Sequence, residues 1–414
     1  MSLTITCGID WAEDHHDVAL VDETGKLVAK RRIGDDADGY RQLLDLLAEA
    51  GEAPETPIPV AVETARGLLF ACLRATGRRV YSINPMAVAR YRERHRTARA
   101  KSDHADAMTL ANILRTDADV HRPLPADSEL VQAIAVLARA QQDAVWNRSQ
   151  LINQLRSHLK QYFPAALAAF QVRGVGLDSR EARAVLAVAP DPATASRLTR
   201  AQLRAALRRS GRQRYIDDWV ERLRAVFTGD YLHQLPLVER AMGRQTLALV
   251  GQLEAACRAA DDLAEAAAEA FAQHPDAHIL TSFPGIGPLT GARVLGEIGD
   301  DRGRFADARA LKAYAGASPV TIASGKSRAV RHRRVKNQRL AAAGYVWIFG
   351  ALPSPLIKEH YDRRRAAGDR HTAAMRNLFN RLLGCLFHCL QTGQTFDPSR
   401  AFPAAAAVSD AAAA

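Results

Sequence analysis

The order of strand-like and helical segments in the first 115 residues restricts the fold more than any other feature of the sequence. Residues 3–34 contain short β-prone runs separated by turn residues, and DETGK at 22–26 is typical of a hairpin. A helical pattern follows at 38–50, and strand-like runs such as IPVAVET then alternate with helical ones. A hairpin followed by alternating strands and helices predicts an α/β domain with a mixed sheet. We place this domain at residues 1–122, closed by the proline-marked segment HRPLP.

Four carboxylates occupy positions in this domain where strand ends and the start of a helix can meet. Asp10 ends the first strand in CGIDWA, and Glu63 ends another in AVETA. Asp103 and Asp106 are three residues apart on one helical face. Carboxylates that converge repel one another unless a cation compensates, and Mg²⁺ is a hard cation that takes oxygen ligands. The four acids therefore predict a magnesium site similar to those of ribonuclease-H-like, RuvC-type domains, where paired ions about 3.5–4 Å apart support phosphodiester chemistry.

A structural interpretation stays open for two of these acids. Asp10 also suits the turn that follows a strand, and Asp103 suits the N-cap of the helix that it opens. Glu63 is harder to explain in this way, because an acid that closes an apolar strand has no capping role.

Positive charge is concentrated in two segments of a chain whose formal net charge is +11. Residues 308–358 contain ten Lys and Arg but no Asp or Glu, and a second basic run directly precedes Asp103. Both segments favour a nucleic-acid backbone as partner, because arginine pairs with phosphate oxygens two at a time. The candidate nucleic-acid-binding cations are Lys326, Arg328, Arg331, Arg333, Arg334 and Lys336 in the acid-free segment, and Arg92, Arg94, Arg96, Arg99 and Lys101 in the other.

Two short motifs in the C-terminal part carry further candidates. The sequence PGIG at 284–287 resembles a helix-hairpin-helix loop, in which Gly285 and Gly287 permit tight geometry and exposed N–H groups grip a phosphate. An ordinary glycine-rich turn is the alternative. Ser324 precedes Gly325 in ASGKS and is flanked by cations. A Ser-Gly pair is usually a turn, and no neighbouring His or Asp marks this serine as a nucleophile.

The middle of the chain, residues 127–275, is predicted to be helical. One apolar line repeats every seven residues: Leu130, Leu137, Ala144 and Leu151. The complementary line is interrupted by Gln141 and Arg148, so a coiled coil and a helical hairpin both remain open. An arginine-rich, helix-prone insert fills about 165–235, and a second helix rich in Ala and Leu covers 237–273.

A mainly α C-terminal domain is predicted at 278–398, and the low-complexity segment 403–414 is predicted to be disordered. Within this domain CLFHC at 385–389 has apolar helical neighbours, so packing is favoured over metal binding. The five cysteines of the chain form no CxxC pair, which indicates a reducing compartment. The sequence has no basic-apolar leader and no apolar run of about 18 residues, so we expect a cytoplasmic protein without a membrane partner.

These features together resemble the DEDD-type insertion-sequence transposases, the insertion-sequence-110 family. The motifs that carry the resemblance span nearly the whole chain: GIDWAEDHHDVALVD, VAVETARG, YSINP, KSDHADAMTLANIL, SFPGIGPLTGARVLGEIGD, RFADARALKAYAGASPV, ASGKS and GQTFDPSR. The resemblance implies a RuvC-like domain joined through a coiled coil to a C-terminal transposase domain. It also implies that the family's four acids are Asp10, Glu63, Asp103 and Asp106, and that its nucleophilic serine is Ser324.

The resemblance further implies a DNA recombinase that forms a phosphoserine link and uses Mg²⁺. It implies a homo-oligomer, a dimer or tetramer, with composite active sites, and a structured non-coding guide RNA as a second nucleic-acid partner in a prokaryotic, nucleoid-associated setting. The insert at 165–235 departs from the shorter members of the family. Two alternatives remain: a hydrolytic RuvC-like nuclease in which Ser324 is only a turn residue, and a non-catalytic nucleic-acid-binding protein.

Overall fold

The computed structural model describes residues 5–63, 67–95, 103–170, 175–325 and 327–402; of residues 95, 103, 104 and 328 it describes only the backbone. The chain divides into two compact units, Met1–Ala126 and Asp127–Ala414. The segment 403–414, and the candidate cations Arg96, Arg99, Lys101 and Lys326, lie outside the described residues.

The first unit contains a five-stranded mixed sheet with the strand order β3-β2-β1-β4-β5. Strands β1, β2 and β3 are antiparallel neighbours, and β4 and β5 continue the sheet parallel to β1. The predicted mixed α/β architecture is thereby confirmed, and the order is compatible with a RuvC-like domain. The strands are β1 (Ile5–Trp11), β2 (His15–Asp22), β3 (Leu27–Gly34), β4 (Val60–Val62) and β5 (Val80–Ser82).

Helices cover both faces of this sheet, because its central strands are apolar on both sides. One face packs against Leu43 and Leu47 of the first helix, and the other against Leu110 and Leu114 of the fourth. The helices are α1 (Ala37–Glu49), α2 (Leu68–Ala75), α3 (Pro85–His95) and α4 (Asp103–Asp117), followed by a short 3-10 turn (Ala118–Val120).

Helix α4 lies unusually close to β1. A Cβ atom at Gly8 would be 2.0 Å from the carbonyl oxygen of Ala107 and 2.5 Å from the nitrogen of Ala111, so only glycine fits. The hydroxyl of Thr6 donates to the carbonyl of Ala111 at 2.9 Å and fixes the same crossing. As a result, the first turns of α4 lie beside the carboxyl end of β1.

Two long helices, α5 (Glu129–Lys160) and α11 (Pro236–Ala272), form the frame of the second unit. They run antiparallel, since Gln141 donates to the carbonyl of Ala260 while His158 bonds the carbonyl of Met242. The partner of α5 that the heptad pattern left open is therefore α11 of the same chain. The insert folds as five helices packed on this pair: α6 (Pro164–Ala169), α7 (Arg180–Val188), α8 (Pro192–Arg197), α9 (Arg200–Arg209) and α10 (Ile216–Phe227).

The remaining helices surround the N-terminal half of α5 and build a second core with Trp347 fully buried at its centre. A two-stranded hairpin, β6 (Val320–Ser324) and β7 (Ser327–Arg331), interrupts them. The helices are α12 (Ala277–Thr281), α13 (Pro288–Ile298), α14 (Ala308–Tyr314), α15 (Gln338–Ala351), α16 (Pro355–Ala366), α17 (His371–Thr392) and α18 (Pro398–Ala401).

Cys385 and Cys389 lie on α17, and burial raises the pKa of both thiols. In the part of the chain that the structure describes, no single helix has both the length and the apolar character to cross a membrane. Helices α15 and α16 reach that length and apolar character only when they are taken together, and the chain bends by 107° between them.

Candidate active site

Two of the predicted acids lie at the carboxyl ends of neighbouring parallel strands. The last registered pair between β1 and β4 is Ile9 with Val62. The next residues are Asp10, the last but one of β1, and Glu63, which directly follows β4. Because the carboxyl ends of parallel strands meet at one edge, the sheet brings these two carboxylates together. Glu63 follows β4 as the sequence indicated, whereas β1 runs one residue beyond Asp10, to Trp11.

A third acid, Asp106, comes from the first turns of α4 and is 7% exposed. The close crossing of α4 over Gly8 delivers it to the same place, and one cavity of about 380 Å³ holds all three carboxylates. That cavity is lined by Asp10, Trp11, Ala12, His15, Asp17, Glu63, Arg92 and Asp106. Helix α4 begins at Asp103, one turn before Asp106, and the Asp103 side chain lies outside the described residues.

Arg92 brings positive charge into this cavity from α3. Its Nη2 lies 2.9 Å from a carboxylate oxygen of Asp106, and its side chain is about one-third exposed. Its Nε is buried and has no hydrogen-bond partner among the described residues. The guanidinium therefore compensates the charge of Asp106, while one of its donors stays unused.

Asp17 is a further acid of the cavity that the sequence did not reveal. It lies on β2 directly opposite Asp10 in the antiparallel register and is 2% exposed. Arg32 on β3 pairs with it through two hydrogen bonds of 2.8 and 3.1 Å. The one available signal was a charged residue entering an apolar strand, since HHDVALVD is buried from its second to its seventh residue.

The donor chemistry of this cavity fits a hard divalent cation, because its acids offer only carboxylate oxygens. Asp10, Glu63 and Asp106 are the described residues that could hold such an ion. In the described positions, however, no three His, Cys, Asp or Glu side chains are close enough to form a ligand set. The ion pair between Arg92 and Asp106 is consistent with this, because it engages one of the three carboxylates.

Ser324 is the last residue of β6, at the tip of an exposed hairpin. It faces Ser327 across the register, and Gly325 in the turn has a φ of 53°, which favours glycine. Within the described residues the Ser324 side chain is exposed and makes no hydrogen bond. The sequence indicated a turn at this serine, but not the two strands that project it.

The candidate cations of the C-terminal part lie on this hairpin and just after it. Arg331 ends β7 and Arg334 is exposed, whereas the stem of Lys336 packs over Gly316. The Nε of Arg333 is buried without a hydrogen-bond partner in the described part of the chain. In the first unit, Arg94 is exposed on α3.

The PGIG loop joins α12 to α13 and packs against α15. Gly285 has a φ of 81°, and a Cβ atom there would be 2.5 Å from the backbone of α15. Gly287 is exposed at the N-cap of α13 with open space around its Cα. Gly285 is therefore needed for packing, and Gly287 is the glycine whose surroundings are open to a ligand.

Two family models match this chain. A DEDD model of the IS110 type, described as Transposase, matches residues 7–164, and the Transposase IS116/IS110/IS902 family matches residues 277–361. The chain is 62% identical over 402 residues to a mini-circle putative transposase for IS117 from Streptomyces coelicolor, covering 97% of each protein.

More distant relatives also align along almost the full length. An uncharacterized 44.8 kDa protein of the insertion element IS116 from Streptomyces clavuligerus is 30% identical, covering 95% of this chain and 96% of that protein. An uncharacterized 43.6 kDa protein of IS110 from Streptomyces coelicolor is 28% identical, covering 95% of each. The similarity therefore includes both units of the chain.

Proposed function

The chain belongs to the IS110 family of insertion-sequence transposases, and from this we propose that it cuts and rejoins DNA through a phosphoserine intermediate on Ser324. The family assignment makes it a DNA transposase that binds DNA, with a DEDD-type domain that works with a divalent metal ion. We propose that this domain is RuvC-like, that the ion is Mg²⁺, and that Asp10, Glu63, Asp103 and Asp106 hold it.

One observation supports the acidic part of this proposal above all others. Asp10, Glu63 and Asp106 come from two strands and a helix and line the same cavity of about 380 Å³. A bound Mg²⁺ would neutralise charge that develops on the scissile phosphate. The carboxylates would hold the ion, and Arg92 would contact the DNA backbone beside it.

The serine step conserves the energy of the phosphodiester bond. The Oγ of Ser324 forms a bond to phosphorus as the bond to the departing DNA oxygen breaks; the hydroxyl loses its proton and the departing oxygen gains one. A hydroxyl of another strand then attacks the phosphoserine, which releases Ser324 and rejoins the DNA. The exposed position of Ser324 at a hairpin tip suits this role, because a phosphate can approach it from solvent.

Guidance by a structured non-coding RNA and assembly into a homo-oligomer with composite sites are further parts of the proposal. They rest on the family resemblance and on exposed cations such as Arg331 and Arg334. We likewise propose 127–275 as a coiled-coil and insert region and 278–398 as the transposase domain.

Metal-dependent hydrolysis is the second candidate function, in which water rather than Ser324 attacks the phosphate. The observation that favours it is that the Ser324 side chain has no hydrogen-bonded base among the described residues. The two functions differ in one product, a covalent link between protein and DNA.

A trapping experiment with a matched serine pair separates them. The full-length chain, with RNA transcribed from the element's ends and a DNA joining those ends, is quenched in detergent and scored for protease-sensitive adducts. Ser324→Ala should lose adduct and recombinant by more than about a thousandfold, as removal of a nucleophile does. Ser327→Ala changes the facing residue of the same hairpin and should keep both. An adduct formed by Ser324→Ala would place the nucleophile elsewhere, and wild-type cleavage without any adduct would establish hydrolysis.

A further inference from the structure

A cavity of about 680 Å³ lies between α14, α17 and the chain that follows α17. Neither Ser324 nor any of the proposed metal-binding acids lines it. One of its walls is the segment GQTFDPSR at 393–400, a motif to which the mechanism above gives no role.

The walls of this cavity are fixed by contacts with the domain core. The backbone N–H of Phe396 donates to Ser282 at 2.9 Å, and its ring stacks on Phe283 with a centroid distance of 4.3 Å. On the opposite side the Nε of Arg381 donates to the carbonyl of Ala401 at 2.7 Å. The cavity is therefore formed before any ligand arrives, which reduces the entropy cost of binding.

The charge of the lining is positive. Lys312, Arg381 and Arg400 face a single acid, Asp397. Asp397 caps α18 by accepting hydrogen bonds from the Ser399 hydroxyl and from backbone N–H groups, and the Ser399 hydroxyl lowers the pKa of its carboxyl group. In the described ranges neither Lys312 nor Arg400 makes a salt bridge.

Gly384 explains why the lysine can reach this cavity. A Cβ atom at position 384 would be 2.8 Å from the Nζ of Lys312 and 2.9 Å from its Cε. The end of the lysine side chain thus lies against α17 where the helix has no side chain, and Lys312 lines the cavity.

The lining also contains two asparagines, and one end of each side-chain amide is held by a hydrogen bond. Asn380 donates from its Nδ2 to the hydroxyl of Ser318, and the Oδ1 of Asn377 bonds the imidazole of His360. Each bond engages one end of an amide, and among the described residues no hydrogen bond is found at the other end. Side-chain amides recognise the edges of nucleobases, whereas Lys and Arg recognise phosphate.

We propose that this cavity binds one unpaired nucleotide of a nucleic-acid strand, with Lys312 and Arg400 on its phosphate and Asn377 and Asn380 near its base. Its volume lies in the range of about 300–1,000 Å³ that is usual for small-ligand sites, which suits a single nucleotide but not a duplex. The proposal rests on nucleic-acid binding by the protein and not on the serine mechanism.

The test measures binding by the full-length chain to a labelled single-stranded oligonucleotide, as DNA and as RNA of the same sequence, and to the matching duplex. Lys312→Ala and Arg400→Ala should each weaken single-strand binding at least about fivefold, and lower the slope of log K against log salt by about 0.7. Duplex binding should change by less than about twofold. If the substitutions weaken RNA binding more than DNA binding, the bound nucleotide belongs to an RNA strand. The reverse result assigns it to DNA.

Arg200→Ala is the matched control, because Arg200 is an exposed cation outside both basic segments and is already paired with Glu221 at 2.9 Å. It should leave single-strand affinity unchanged. Equal effects of Lys312→Ala and Arg200→Ala, or equal losses for duplex and single strand, would overturn the proposal. Melting temperatures of all variants identify any that fail to fold, and nucleoside monophosphate competing with the oligonucleotide in the wild type provides a readout independent of substitutions. Failure of that competition would also count against the cavity. Because none of these measurements involves strand cleavage, they are independent of whether Ser324 is the nucleophile.

Discussion

The guanidinium of Arg92 lies 2.9 Å from the carboxylate of Asp106, inside the cavity that also contains Asp10 and Glu63. Asp106 is largely buried, so its charge would be costly without a nearby cation. Arg92 reduces this cost in the absence of a metal ion. A divalent cation bound by the same carboxylates would compete with Arg92, which would free the guanidinium to contact DNA.

Replacing Arg92 with alanine should therefore make the fold more dependent on metal. Loss of the partly buried pair should cost about 1–3 kcal/mol without metal, between the values typical of exposed and buried pairs. Without the competing cation, Mg²⁺ or Mn²⁺ should bind more tightly and recover that stability. Thermal unfolding at increasing metal concentration in the absence of DNA checks both effects.

Arg94→Ala is the control for this prediction, because Arg94 is exposed on the same helix and does not line the cavity. It should leave the melting temperature and its metal dependence unchanged. If Arg92→Ala showed the metal dependence of the wild type, competition between Arg92 and a cation would be excluded.

Glu63→Gln should separate the metal-binding role of Glu63 from any structural one. The amide removes one repelling charge from the cavity, so the metal-free protein should keep or slightly raise its melting temperature. Affinity for Mg²⁺ should fall at least about tenfold, and recombination should be lost with it. Isothermal titration with Mg²⁺ measures the affinity.

Glu55→Gln, at an exposed position before β4, should bind Mg²⁺ as the wild type does, and wild-type affinity in Glu63→Gln would remove Glu63 from the site.

Asp10 and Glu63 could be placed from the sequence because each comes at the end of an apolar run, and the carboxyl ends of parallel strands meet at one edge of a sheet. Asp17 could not, because its relevance depends on the register that sets it opposite Asp10. The turn that fixes this register, AED at 12–14, contains no Gly, Pro or Asn to mark it in the sequence. In the same way, heptad spacing showed that α5 has a buried face, but not that α11 covers it.

The hairpin that carries Ser324 was beyond sequence reasoning for a different reason. Its strands are five residues each and largely exposed, so they lack the alternation of buried and exposed residues that marks a half-buried strand. Position 324 was therefore identified by family resemblance, and its geometry came from the structure.

Gly8→Ala should show how strongly the site depends on the crossing of α4 over β1. The new methyl group would meet backbone atoms of Ala107 and Ala111, which cannot rotate away, so α4 must shift. Overpacking of this kind costs about 1–3 kcal/mol and would displace Asp106 from the cavity. Chemical denaturation measures the loss of stability.

Gly251 is a helical glycine of α11 with open space around it, so Gly251→Ala should be neutral or stabilising. Equal stability of the two variants would contradict the close crossing of α4 over β1.

DNA binding should depend steeply on salt, and individual exposed arginines should contribute separately to that dependence. Arg334 is exposed just after the hairpin, in a segment without acids, so it is available to a phosphate. Arg334→Ala should reduce the slope of log K against log salt by about 0.9 for duplex DNA, the contribution of one neutralised phosphate.

Arg200 is also exposed but already pairs with Glu221, so Arg200→Ala should leave the slope unchanged. Fluorescence anisotropy between about 50 and 200 mM salt resolves slopes of this size. Equal slopes for wild type and Arg334→Ala would show that the acid-free segment does not contact the backbone at that residue, and binding insensitive to salt would reject an electrostatic interface altogether.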